Sequence, residues 1–273
     1  MMQTGQQPAT GYAPANGVDI YWESRGSGGT PLVLLHGGYG LASMFDGLAG
    51  ELAADRRVIA LELQGHGHTA DIGRPFTWDD FGDDVATVIA HLGLGPVDLL
   101  GVSLGGTASL RCAIRHPEAV RRLVVVSAPF RRAAWFPEVI AGFDQMTGAT
   151  LFGLLRQSPM YAEWLKIAPD SASFPTLIDK TGALLRQPYD WGAEVAQLDV
   201  PVLLVYGDSD SIPPSHAAEF YSLLGGGQRD AGWEGGLPTP SRLAIVPGRT
   251  HYNILDSPQL PAMIAEFCGP AEG

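Results

Sequence analysis

The residues best suited to chemistry stand in the stretch Gly101-Val102-Ser103-Leu104-Gly105. This spacing of glycine, serine and glycine is typical of a serine held in a tight turn between a strand and a helix. A serine hydroxyl is a poor nucleophile until a base takes its proton, and it then attacks carbonyl carbons. The stretch therefore predicts a nucleophilic Ser103.

The segments on either side of this serine supply the structural context that the motif needs. The apolar run at residues 97–100 predicts a strand, and apolar side chains recur at helical spacing from Leu104 until Pro117 ends the pattern. Gly101 and Gly105 leave room where strand and helix meet, because a Cβ at either place would press on the neighbouring backbone. The stretch therefore reads as strand, turn and helix.

A serine nucleophile requires a base, and the base requires a carboxylate that orients it. Among the seven histidines, His251 lies in a loop directly after a predicted strand at residues 243–246. Active-site loops of an open sheet gather at the carboxyl ends of such strands, so His251 is the predicted base. As a metal pair, His66 and His68 lack further ligands.

Two carboxylates are candidates for the acid. Asp208 and Asp210 both follow a predicted strand at residues 200–206. Asp208 could instead brace the turn by accepting bonds from local backbone amides. The turn after the preceding strand, residues 127–129, contains no carboxylate, so we expect the acid to be one of these two aspartates.

The elements that must position these residues alternate regularly along the chain. Continuous apolar runs, typical of strands covered on both faces, alternate with amphipathic helices. This alternation predicts an α/β fold with a doubly wound, mostly parallel sheet. Asn16-Gly17, between two short extended stretches, predicts an antiparallel hairpin at the sheet edge.

One region departs from this alternation. Residues 130–190 show no strand pattern and carry many aromatic side chains in short helical segments broken by prolines, which predicts a helical cap rather than an ordinary surface bundle. The core is then predicted at residues 16–129 and 191–273, behind a flexible N-terminal tail of residues 1–15. Residues 225–241 are expected to form a loop with no assigned role. The predicted substrate pocket consists of Tyr39, Trp135, Phe136, Phe143, Met146 and Trp164.

Composition narrows the classes of partner. The net charge is −12 with only 17 Lys and Arg residues, which leaves no basic face for nucleic acid or anionic lipid. No apolar stretch approaches the length of a membrane span, and the two cysteines lie far apart in apolar helical patterns. We therefore expect a cytoplasmic protein with a small-molecule partner and with no disulfide, metal or cofactor; the oligomeric state stays open.

The motifs together resemble the α/β-hydrolase superfamily, and in particular its capped, serine esterase-like members. The resemblance rests on the turn around Ser103, the His36-Gly37-Gly38 turn after a buried strand, the order of strands and helices, and a histidine before the last helix. It spans residues 16–268. Its Gly-x-x-Asp pattern selects Asp210 as the acid, and it implies an oxyanion hole formed by the backbone amides of Gly38 and Leu104. Tyr39 stands where some esterases carry a third glycine.

The resemblance implies a serine hydrolase that cleaves carboxylic esters of small to medium apolar acyl or aryl groups through an acyl-enzyme. Ser103 in place of an aspartate argues against epoxide hydrolase and haloalkane dehalogenase chemistry. Lactonase, carbon–carbon bond hydrolase and cofactor-free perhydrolase activities use the same triad and stay open. The alternative of another class is a small-molecule receptor without turnover, for which the expected sign would be a missing triad residue.

Overall fold

The computed structural model describes residues 8–269 and is built around one eight-stranded sheet. The strands are β1 (Ala9–Ala15), β2 (Val18–Arg25), β3 (Leu32–Leu35), β4 (Val58–Leu61), β5 (Val97–Val102), β6 (Val120–Val126), β7 (Val202–Ser209) and β8 (Arg242–Thr250). Their order across the sheet is β1-β2-β4-β3-β5-β6-β7-β8. Strand β2 pairs antiparallel with β1 and β4, and the other pairs are parallel. The predicted α/β fold with a mostly parallel sheet is confirmed.

Helices cover both faces of this sheet. They are α1 (Asp46–Leu52), α2 (Trp78–His91), α3 (Leu104–Arg115), α4 (Pro137–Asp144), α5 (Gly148–Leu155), α6 (Pro159–Ile167), α7 (Phe174–Arg186), α8 (Gly192–Val195), α9 (Pro214–Leu223) and α10 (Leu260–Cys268). Strands β3, β4 and β5 are buried along their whole length. Burial on both faces explains why their sequences are continuous apolar runs instead of alternating ones.

The N-terminal hairpin confirms one prediction and corrects another. Asn16 and Gly17 both have positive φ, +48° and +90°, and join two strands paired from Ala15 and Val18 outward. The prediction of a flexible tail over residues 1–15 is wrong for residues 9–15, which form β1. Ala13 and Ala15 are buried, and their small apolar side chains escaped the sequence pattern. Residues 1–7 lie outside the described residues.

The insertion at residues 130–190 contains the four α-helices α4 to α7. An isolated bridge pairs Arg131 with Asp190, so the two ends of the insertion lie side by side. The assignment of residues 130–190 as a cap, and the domain division that goes with it, stays a prediction. No helix within residues 8–269 is long and apolar enough to cross a membrane.

Candidate active site

Ser103 occupies the turn between β5 and α3 with φ +54° and ψ −117°. This is a strained backbone conformation for a residue with a side chain, and such strain is held in place only by the surrounding structure. The flanking glycines permit it. A Cβ on Gly101 would collide with the backbone oxygen of Gly105, and a Cβ on Gly105 would collide with the backbone oxygens of Leu35 and His36.

The register of the last two strands brings the acid and the base together. Ser209 of β7 pairs with Thr250 of β8, so the next residues, Asp210 and His251, emerge side by side at the same edge of the sheet. The Oδ1 atom of Asp210 lies 2.9 Å from Nδ1 of His251, and Nε2 of His251 lies 2.9 Å from Oγ of Ser103. The structure thus brings the three predicted side chains into one hydrogen-bonded line.

This geometry assigns the protons. A carboxylate only accepts hydrogen bonds, so Nδ1 of His251 donates to Asp210, and the neutral imidazole keeps Nε2 as the acceptor for the Ser103 hydroxyl. The side chain of Asp210 has no exposed surface, and that of His251 is 12% exposed. The base is therefore held in the tautomer that general-base catalysis requires.

Asp210 is held as a carboxylate by its partners. Burial alone would raise its pKa, but hydrogen bonds from His251, from the Ser127 hydroxyl (2.5 Å) and from the Gly207 amide (3.2 Å) outweigh burial and lower the pKa below its usual range. The buried charge is thus matched by three donors. It can stabilise an imidazolium at His251 without taking the proton itself.

The rival carboxylate has a different task. Asp208 is exposed and accepts a hydrogen bond of 3.0 Å from the amide of Gly248 in the neighbouring strand. It makes no bond to His251, whose Nδ1 is taken by Asp210. Asp208 therefore braces the strand pair, which is the alternative that the sequence left open for it.

The two predicted oxyanion donors lie on neighbouring backbone segments. A Cβ on Gly37 would be 3.5 Å from Cβ of Ser103, and one on Gly38 would be 3.9 Å from Cδ1 of Leu104. Within residues 8–269, the amides of Gly38 and Leu104 donate no hydrogen bond to a protein acceptor. Two amides beside Ser103 that have no acceptor in the described part of the chain are consistent with the predicted oxyanion hole.

Tyr39, in the same turn, has φ +61°, a conformation that favours glycine. Its hydroxyl lies 3.0 Å from the Met146 sulfur, and burial raises the pKa of the phenol. The methyl group of Thr181, on α7, would lie 4.0 Å from a Cβ on Gly38. The insertion thus contributes Met146 and Thr181 next to the candidate oxyanion turn.

The remaining predicted pocket residues divide into two groups. The Trp135 ring lies 5.3 Å from the His251 ring, so Trp135 borders the predicted base, and Phe143 packs against Trp135 at 5.3 Å between rings. Phe136 instead lines a surface cavity of about 490 Å³ together with His216. Trp164 packs inside the insertion against Phe174, at 4.9 Å between rings.

Sequence reasoning missed Ser127 and Thr181. The available signal for Ser127 is a hydroxyl at the end of β6, which can bond the acid that follows β7. Its positive φ of +51° marks a second sharp turn at this sheet edge. Thr181 carried no sequence signal, because a threonine within a helix is common.

The turn histidines have structural partners. His36 is fully buried, and its ring bonds the Gly37 carbonyl and the Leu63 amide. His68 bonds Glu62 at 3.0 Å. Across the described part of the chain, no three His, Cys, Asp or Glu side chains are placed to hold a metal ion.

The chain is similar in sequence to known proteins. Residues 30–228 match the family model described as alpha/beta hydrolase fold. A pimeloyl-[acyl-carrier protein] methyl ester esterase of Sodalis glossinidius is 32% identical over 216 residues, which cover 72% of this chain and 82% of the relative. The dihydrolipoyllysine-residue acetyltransferase component of the acetoin cleaving system of Pseudomonas putida is 32% identical over 78% of this chain, but the match spans only 61% of that protein.

Solved structures show the same architecture. A carboxylesterase of Bacillus subtilis superposes with a TM-score of 0.73 at 19% identity, covering 96% of this chain and 92% of the other. E-2-(acetamidomethylene)succinate hydrolase gives a TM-score of 0.72 at 22% identity, covering 96% and 99%. At these identities the likeness concerns the fold alone.

Proposed function

The chain belongs to the alpha/beta hydrolase family, and from that premise we propose that it hydrolyses carboxylic esters of small to medium apolar acyl or aryl groups through an acyl-enzyme. The observation that carries the proposal is the unbroken line of hydrogen bonds from Ser103 through His251 to Asp210. The relatives named as methyl ester esterases also act on carboxylic esters, which supports the same reaction class.

In the first half-reaction, Oγ of Ser103 attacks the ester carbonyl carbon while Nε2 of His251 takes the hydroxyl proton. The negative charge that develops on the carbonyl oxygen is held by the amides of Gly38 and Leu104. Each such donor contributes about 3 to 4 kcal/mol of transition-state stabilisation. The intermediate then collapses, the carbon–oxygen bond to the alcohol breaks, and His251 returns its proton to the leaving alkoxide.

In the second half-reaction, water replaces the alcohol. His251 takes a proton from water as its oxygen attacks the acyl carbon, and the same two amides hold the second oxyanion. Collapse breaks the bond to Oγ of Ser103, which recovers its proton from His251. Asp210 stabilises the imidazolium in both halves, and Ser127 positions Asp210.

The test is turnover of p-nitrophenyl acetate by the wild type and by Ser103→Ala. We expect kcat of the variant to fall by on the order of 10⁴ or more, because the nucleophile and its base act as a unit. The melting temperature should stay close to that of the wild type. Failure of the wild type to turn over any ester, lactone or vinylogous diketone would remove the proposal.

Labelling with a fluorophosphonate separates this enzyme from the receptor alternative. An activated Ser103 should react stoichiometrically, and Ser103→Ala should not react. A receptor that lacks an activated serine would resist the reagent although it binds small molecules.

A further inference from the structure

Two hydroxyl groups beside the candidate oxyanion turn lack the partners that buried hydroxyls normally have. The Thr181 side chain is buried, the residue being 1% exposed, and its Oγ1 has no hydrogen-bond partner among the described residues. The Tyr39 hydroxyl donates to the sulfur of Met146, and the Thr181 side chain lies beside the same phenol. A thioether is a weak acceptor, so this bond falls well short of one to oxygen.

The Thr181 hydroxyl lacks the local hydrogen bond that two other helical threonines of this chain make. Thr87 of α2 donates to the carbonyl of Asp83 at 2.8 Å, and Thr107 of α3 donates to the carbonyl of Ser103 at 3.4 Å. Both use the acceptor four residues earlier, which is the usual local solution. Thr181 does not use it. A buried hydroxyl left unpaired costs about 1 to 3 kcal/mol. The Ser109 hydroxyl of α3 is unpaired as well, but Thr181 differs from it in lying next to the candidate oxyanion turn, where a bound substrate could supply the missing acceptor.

The backbone conformation of Tyr39 also indicates a binding role for its side chain. Holding a tyrosine at φ +61° costs on the order of 1 kcal/mol compared with glycine, and the turn would form more easily with glycine there. The strained position turns the phenol toward Met146 of the insertion instead of toward water. Because burial raises the phenol pKa, the group remains a donor throughout the neutral range.

Both residues are close to the predicted oxyanion amide of Gly38, since Tyr39 follows it in the chain and Thr181 packs next to it. The Thr181 methyl group would lie 4.0 Å from a Cβ on Gly38. The backbone amide of Gly38 is the group that would hold the carbonyl oxygen of the ester. A group attached to the acyl carbon close to that oxygen would reach Thr181 and Tyr39 before it reached the Trp135 wall beside His251.

From these contacts we propose that Tyr39 and Thr181 form an acyl-side subsite for a hydrogen-bond-accepting oxygen. The preferred esters then carry an oxo group or a second ester group a few bonds from the scissile carbonyl, on an otherwise apolar acyl chain. On binding, the substrate oxygen replaces the Met146 sulfur as the acceptor of the Tyr39 hydroxyl and takes a second hydrogen bond from Thr181. Met146 is flexible and unbranched, so it can move aside. This inference rests on the proposed ester hydrolysis and narrows its substrate class.

The experiment compares p-nitrophenyl 4-oxopentanoate with p-nitrophenyl pentanoate, which differ in one oxygen. The wild type should show kcat/KM about tenfold higher for the oxo ester. Thr181→Val and Tyr39→Phe should each lower kcat/KM for the oxo ester about fivefold, mainly through KM. The same variants should lower kcat/KM for the plain ester less than for the oxo ester, so that the ratio between the two esters falls.

Matched variants separate recognition from structure. Thr181→Ser keeps the hydroxyl and should keep the preference for the oxo ester. Thr87→Val removes a helical threonine hydroxyl on the far helix α2 and should change neither ester. Equal hydrolysis of both esters by the wild type, or equal losses for both esters in Thr181→Val and Tyr39→Phe, would overturn the subsite and leave ester hydrolysis standing. No hydrolysis of either ester, nor of p-nitrophenyl acetate, by the wild type would overturn the proposed function itself.

Discussion

The turn around Ser103 and the helical insertion at residues 130–190 are held in different ways. Around Ser103, backbone lies against backbone, so that neither Gly101 nor Gly105 has room for one more carbon atom. In the insertion, many contacts run between aromatic or flexible side chains. Two of its four helical glycines, Gly142 and Gly153, face open space, whereas a Cβ on Gly148 or Gly182 would meet a backbone oxygen. Backbone packing fixes the positions of the reacting atoms, whereas side-chain packing can be exchanged without moving them.

The charged groups of the sheet edge and of the insertion also differ in how they are held. Asp210 is matched by three donors at fixed distances, and every one of them belongs to the sheet edge. The insertion instead reaches the core through the ion pair of Lys180 with Asp71, at 2.6 Å, whose side chains keep 17% and 18% of their surface exposed. We therefore infer that chemistry is encoded in the sheet edge and that selectivity is encoded in the insertion, and four changes test this contrast.

The largest effect is expected for Gly105→Ala. The added methyl group would meet the backbone oxygens of Leu35 and His36, and neither can move without shifting β3. Such overpacking costs about 3 kcal/mol in the free energy of unfolding. A shift of Ser103 by an ångström would also lower kcat/KM by roughly 10². Urea unfolding measures the change in stability, and kinetics with p-nitrophenyl acetate measure the change in kcat/KM. A loss of stability below about 1 kcal/mol would show that the backbone around Ser103 is not as tightly packed as we infer.

The next effect is expected for Ser127→Ala. A hydrogen bond to a carboxylate lowers its pKa, so loss of the Ser127 hydroxyl should raise the pKa of Asp210 and lower kcat/KM about tenfold. Carbon-13 NMR of the carboxyl group follows the pKa. Ser109→Ala is the matched control, since the Ser109 hydroxyl is buried on α3 without a partner within residues 8–269, and it should stay within about twofold. An unchanged Asp210 pKa in Ser127→Ala would exclude the positioning role.

The same contrast explains what the sequence could predict. The turn at Ser103 was recognisable because its glycines, the strand before it and the helix after it are neighbours in the chain. The choice between Asp208 and Asp210 could not be made from the residues alone, because side chains two apart on a strand share one face. It depends on where β7 ends. Strand β7 ends where Ser209 pairs with Thr250 of β8. The sequence did not predict that β8 reaches Thr250, because Pro247 and Gly248 interrupt its strand pattern.

The insertion was harder to predict in detail. Its aromatic side chains and its helical segments were evident, but which of them face Ser103 depends on how α4 to α7 pack. Trp135 borders the base, whereas Trp164 is buried against Phe174, and both have the same apolar signature. Thr181 approaches Gly38 only because α7 lies over the turn. Such contacts between distant segments leave no local pattern.

A smaller effect is expected at the contact between insertion and core. Burial would raise the pKa of Asp71, but bonds from Lys180 and Gln64 outweigh burial and lower it. A lowered carboxyl pKa means that the ion pair adds stability above the unfolded pKa of about 4 and loses it as the pH falls through the folded value. A double-mutant cycle with Asp71→Asn and Lys180→Met should give a coupling of about 1 kcal/mol at pH 7.

The control for that cycle is an exposed pair within the insertion. Lys166 and Glu163 lie 2.6 Å apart on α6, with 63% and 57% of their side chains exposed, so their coupling should be about 0.3 kcal/mol. Hydrogen exchange should rise in α7 for Lys180→Met and stay unchanged there for Lys166→Met. Equal couplings for the two pairs would show that Lys180 does not fasten the insertion.

The smallest effect is expected for Gly153→Ala, and its sign is opposite. Gly153 lies inside α5, a Cβ there would meet no atom within 4 Å, and its φ is not positive. Alanine should therefore raise the free energy of unfolding by about 0.5 to 1 kcal/mol, because glycine loses more backbone entropy in a helix. Gly148→Ala, at the start of the same helix, should destabilise, since its Cβ would lie 2.8 Å from the Pro175 oxygen. Thermal unfolding of both variants measures these changes in stability. A stabilised Gly153→Ala with unchanged kcat/KM would show that the packing of α5 is independent of the chemistry at Ser103. A destabilised Gly153→Ala would show that α5 is under the same backbone constraint as the turn at Ser103.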